Sequence, residues 1–163
     1  MGGETGDFRQ VLAGAICREI GARNFYKTIS DSIKNVEGKE KFARLSGDEE
    51  GHRVKLEGWY QKLFDAKYSP GGKELLDAEI KGVHIGEKAG ALEALDLAIH
   101  AEMRAEEFYS NQAETVERPE LKKLLEQLAA EEHGHYELLL AERGSLTGGF
   151  YWFDIDSSQF LED

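Results

Sequence analysis

Apolar residues recur along this chain at three- and four-residue steps, in four long runs separated by polar or glycine-rich breaks. Phe8, Leu12, Ala15, Ala22, Tyr26, Ile29 and Ile33 trace one stripe, and Phe42, Leu45, Leu56, Trp59 and Leu63 a second. Leu92, Leu95, Ile99, Ala105 and Tyr109 give a third, and Leu121, Leu125, Leu128 and Leu139 a fourth. A period near 3.6 belongs to an amphipathic helix with one buried face. The pattern therefore predicts helices over about 8–35, 38–66, 88–116 and 119–143. Pro119 suits the first turn of the fourth, and Gly144 is expected just past its end.

The two halves of the chain resemble each other. With residues 12–56 set against 95–139, a shift of 83, 14 of 45 positions are identical without a gap. The shift is close to half the chain, so two similar helical hairpins are expected about a pseudo-twofold axis. Links within each hairpin are short, near Val36–Gly38 and Glu117–Arg118. Residues 67–87 are long enough to return the chain along a bundle; Ser69-Pro70-Gly71-Gly72 lies near their start, and a short helix is expected over Lys73–Lys81. The expected architecture is an all-α antiparallel four-helix bundle over 1–144 with one long crossover. A C-terminal tail, 145–163, carries Phe150-Tyr151-Trp152-Phe153 and is expected to pack on the bundle or on a neighbouring copy.

Every stripe is interrupted near its middle by the same chemistry. Glu19 stands in the first and Glu102 in the third, while Glu49 with His52 and Glu132 with His135 stand in the second and fourth. A glutamate and a histidine three apart share one helix face, about 4.5 Å apart along the axis. Four carboxylates buried together are prohibitive unless cations compensate them. Two divalent ions supply that charge, so the six side chains are candidate ligands of a two-metal centre. One Glu from each of two helices and a Glu-x-x-His from each of the others is the donor set of carboxylate-bridged di-iron and di-manganese bundles.

A single Glu-x-x-His is a weak signal in so acidic a chain, and a glutamate beside an apolar stripe is usually solvated. The conjunction is what counts: both pairs and both single glutamates coincide at the same shift of 83. The shift also selects Glu132 over its neighbour Glu131 as the partner of Glu49. Tyr26 and Tyr109 lie two turns beyond Glu19 and Glu102, either as hydrogen-bond donors to the carboxylates or as core tyrosines. Asp48 and Glu131 are candidate acceptors for the outer N–H of the histidine from the opposite hairpin, with a solvated helix face as the alternative. His84, His100 and His133 fall off the stripes and are not expected to bind metal; Cys17 reads as a small buried residue.

Composition narrows the field further. A net charge of −12 argues against nucleic acid and against an anionic membrane surface. One cysteine permits neither a disulfide framework nor a four-cysteine iron site. No apolar run approaches the length of a membrane span, and the first residues, Met1-Gly2-Gly3-Glu4, are polar, so a cytoplasmic protein is expected.

The run Glu19-Ile20-Gly21-Ala22-Arg23-Asn24-Phe25-Tyr26, with Glu49-x-x-His52, Glu102 and Glu132-x-x-His135, resembles the rubrerythrin family of ferritin-like proteins over about residues 8–143. The resemblance implies a non-haem di-iron centre reacting with peroxide or dioxygen, often in a homodimer. Manganese or zinc would suit the same ligands. Ala105 stands where the family carries a further glutamate, and the chain lacks the cysteines of a rubredoxin-type iron site, so electrons are expected from a separate donor protein. Glu50 occupies the place of bacterioferritin's haem-binding methionine, so no haem is expected. Iron oxidation for storage, and a structural zinc or manganese bundle without turnover, are the competing readings.

Overall fold

The computed structural model describes residues 3–69 and 88–148, with side chains described over 8–69 and 90–148. Four helices occupy them: α1, Gly3–Ser32; α2, Val36–Phe64; α3, Lys88–Thr115; and α4, Pro119–Thr147. No strand occurs among the described residues. The short helix expected over 73–81 and most of the aromatic tail lie outside them.

Two compact units divide the chain: one takes α1 to Asp31 with α2 from Glu40, and the other takes α3 and α4 together with residues 32–39. In the first unit Arg9 meets Tyr60, Arg23 meets Ser46 and Glu50, and Tyr26 meets Phe42, so α1 and α2 run antiparallel. Leu12, Ile16, Ile29, Leu45 and Leu56 are buried, as the 3.6-residue stripe requires. The Arg9 guanidinium donates to the Tyr60 hydroxyl at 2.8 Å and lies 5.4 Å from that ring's centre. A cation there satisfies a largely buried phenol and stacks on its face.

The second unit repeats the plan. Asp96 meets Arg143 and Glu106 meets His133, so α3 and α4 are also antiparallel. The buried face of α4 is Leu121, Leu125, Leu128, Glu132, His135, Leu139, Glu142 and Leu146, in alternating steps of four and three. Polar groups enter this stripe only where it holds carboxylates and an imidazole.

Helix ends depart from expectation for local reasons. Asn35 serves α2: its Oδ1 accepts from the Gly38 N–H at 3.0 Å, and its carbonyl from the Lys39 N–H at 2.9 Å. That is N-cap geometry, which needs an extended residue, so α1 ends at Ser32 rather than near 35. Asp65 takes φ 49°, a left-handed turn that closes α2 at Phe64. Gly144 does not end α4. The helix runs to Thr147, and the Gly144 carbonyl instead accepts from the Gly148 N–H at 2.9 Å. Fully buried Leu146 gives that extra turn an apolar anchor.

Leu45 and Leu128 are counterparts in the internal repeat, at 2% and 0% exposure. Leu45→Ala and Leu128→Ala are each expected to lower unfolding free energy by about 2–5 kcal/mol, read from urea denaturation. An unchanged midpoint for either would show that its stripe is not core.

Candidate metal centre

Each hairpin gathers its three expected donors. In the first unit Glu19 comes from the middle of α1, with Glu49 and His52 from one face of α2. One donor atom from each lies within 4.8 Å of the others, and all three residues are buried. His52 Nδ1 is 3.0 Å from Glu49 Oε2 and 3.4 Å from Glu19 Oε2. In the second unit Glu102 of α3 joins Glu132 and His135 of α4 within the same limit, again buried. His135 Nδ1 is 3.5 Å from Glu132 Oε2 and 3.6 Å from Glu102 Oε1.

Burial dominates the electrostatics. It pushes the Glu19 carboxyl up to about 8, against a hydrogen bond from His52 and with the help of nearby Glu49. It does the same to Glu102, also to about 8, aided by Glu132 and opposed by His135. A carboxyl that resists ionising at neutral pH sits in a place that favours added positive charge. Hard oxygen and imidazole donors, two to one in each cluster, fit iron, manganese or zinc, and either triad has the donors to hold a metal ion.

The remaining candidates fall as follows. Tyr26 and Tyr109 are buried on the ligand-bearing faces. Asp48 is exposed, while Glu131 is half-buried and accepts from the Gln127 amide at 3.1 Å. His100 is exposed, its Nδ1 2.7 Å from the Asp96 carbonyl, and half-exposed His133 contacts Glu106. Cys17 is buried, and His84 lies outside the described residues.

Two features were missed in the sequence. Glu142 is buried on the α4 stripe, seven residues beyond His135. That spacing was the available signal. Beside the first triad runs a chain of ion pairs, Arg23 to Glu50, and Arg53 to both Glu50 and Glu57. Arg53, with Arg23 behind it, holds the Glu50 carboxyl down to about 2.

Two helical hairpins with matching buried Glu–Glu–His triads define the class, a ferritin-like four-helix bundle with carboxylate-rich clusters that could hold metal. The family model for rubrerythrin matches residues 10–143, and the chain belongs to that family. A solved structure with the same fold class is "Hypothetical Protein Pfu-1136390-001" from Pyrococcus furiosus: 32% identity, a TM-score of 0.78, and coverage of 91% of this chain and 97% of that one. No curated protein matches. No helix among the described residues is long and apolar enough to cross a membrane.

Glu19 and Glu102 have folded-state values near 8, above their ordinary 4.5, so each favours the folded state while protonated. That contribution is complete below about pH 4.5 and is lost as pH rises to about 8. Metal-free protein is therefore expected to melt at progressively lower temperature across this window, and Glu19→Gln with Glu102→Gln should flatten the profile. Melting in chelator across that range checks it; the same slope in the double variant would refute burial as the cause.

Proposed function

We propose that Glu19, Glu49, His52, Glu102, Glu132 and His135 together hold two iron ions, and that the protein reduces peroxide or dioxygen with electrons from a separate donor protein. The observation that carries this reading is the identical buried triad at matched positions of both hairpins, in a chain of the rubrerythrin family. Four carboxylates and two neutral imidazoles sum to −4, which two divalent ions neutralise. Bound iron would supply the two-electron redox step.

The protein's own groups set the conditions. The glutamates would carry the negative charge that bound ions neutralise. His52 and His135 give each half one neutral nitrogen. Burial keeps bulk water from the donors. Tyr26 and Tyr109 serve as hydrogen-bond donors to the carboxylates, and Asp48 and Glu131 as acceptors for the outer histidine N–H groups. Ala22 and Ala105 follow Glu19 and Glu102 by three residues, so neither hairpin has a carboxylate at that position. The reaction is a two-electron reduction of the oxidant, with two protons giving water from peroxide. A homodimer is the assembly this reading implies.

Anaerobic loading with Fe(II) should bind about two ions per chain. Added peroxide should then disappear faster than with free iron, as a near-ultraviolet band of the oxidised centre appears. Glu49→Ala should abolish both. No band and no acceleration in the parent would defeat the proposal, and a large closed shell on size-exclusion chromatography would favour iron storage instead.

A further inference from the structure

The two triads are alike in their donors but not in what braces them. In the first unit the Arg23 Nη1 donates to Glu50 Oε2 at 2.7 Å, tying α1 to the residue next to Glu49. Arg53, next to His52, donates to both Glu50 oxygens at 2.9 and 2.5 Å, and to Glu57 at 2.5 Å. The Ser46 hydroxyl donates to the Arg23 carbonyl at 2.9 Å, a second tie between the same helices. A forked guanidinium gripping both oxygens of one carboxylate fixes orientation as well as distance.

The internal repeat puts different residues at these places in the second unit. Glu106 replaces Arg23, His133 replaces Glu50, Tyr136 replaces Arg53, Leu140 replaces Glu57 and Ala129 replaces Ser46. Next to these ligands the brace runs through one imidazole: His133 Nδ1 lies 3.1 Å from Glu106 and its Nε2 3.3 Å from Glu137, while the other tie between α3 and α4, Arg143 with Asp96, stands six residues before Glu102 and eight beyond His135. That imidazole is 49% exposed, whereas the Arg53 side chain is 22% exposed. The triads differ in the same sense. His52 keeps 3.0 and 3.4 Å to its carboxylates at 1% side-chain exposure; His135 keeps 3.5 and 3.6 Å at 9%.

We propose that Arg23, Glu50 and Arg53 are positioning residues that preset the first triad, so that metal-free protein takes its first divalent ion at Glu19, Glu49 and His52 and its second, more weakly, at Glu102, Glu132 and His135. This rests on the metal-binding reading above. A ligand set already held in place loses less freedom on binding, and residues that brace metal ligands commonly change affinity by about 10- to 100-fold. The wider spacing of the second triad's donors means that it draws in further around its ion, and the ion pairs beside its ligands run through a half-exposed histidine.

Cobalt(II) titration of the full-length metal-free protein, followed by visible absorption and calorimetry, tests this without turnover. Two steps should appear, separated by about tenfold or more. His52→Ala should remove the tight step and His135→Ala the weak one. Glu50→Ala should weaken the tight step by about tenfold while the weak step and the thermal midpoint stay close to the parent's, and Glu50→Asp should recover part of the loss. His133→Ala should leave the tight step in place. If Glu50→Ala does not fold, Arg53→Lys, which keeps the charge and loses the fork, gives the same readout. Two equal steps, or a tight step indifferent to both variants, would overturn the assignment. Failure of the parent to bind cobalt at all would instead overturn the metal-centre reading, and this one with it.

Discussion

Placing carboxylates inside an apolar helical stripe is the constraint on which this protein turns. An ionised carboxylate in a low-dielectric interior costs several kcal/mol even after relaxation. Glu19 and Glu102 express that cost by holding their protons to about pH 8. Leu45 or Leu128 would be cheaper neighbours on the same faces, so a fold that spends core positions this way has a use for negative charge there. The histidine beside each pair offers a hydrogen bond that offsets part of the cost, but not enough to restore ordinary ionisation.

Much of this was legible in the sequence because burial imposes periodicity. Leu12, Ile16, Leu45 and Leu56 repeat at helical spacing since each must face the core, and a polar residue on that stripe stands out. The duplication then did what a single motif cannot: it paired Glu19 with Glu102, and Glu49 and His52 with Glu132 and His135. Glu142 escaped notice for the complementary reason. Its counterpart in the first half is Trp59, so the comparison that singled out the other carboxylates passed over it.

Helix ends and the Arg23–Glu50–Arg53 brace were not legible, and the causes are physical. Whether Asn35 finishes one helix or starts the next depends on which backbone N–H its side chain meets, a choice made in three dimensions. Gly144 is permissive of either outcome, and buried Leu146 decided for continuation. Arg23 and Glu50 are 27 residues apart on polar faces where charged side chains are abundant, so nothing in their spacing marks them as partners.

The exchange of charge between the two braces also bears on how a duplicated chain avoids mistaking one half for the other. Hairpins of common design can in principle trade helices, within a chain or between copies. Were α3 to stand in for α1, Glu106 would face Glu50, carboxylate against carboxylate; were α4 to stand in for α2, Arg23 would face His133, two nitrogen bases with no acid between them. Only the native partnerships, Arg23 with Glu50 and Glu106 with His133, set unlike groups together. Divergence at these surface positions therefore labels the helices, and like-charge opposition discourages the swapped pairings that internal symmetry would otherwise permit.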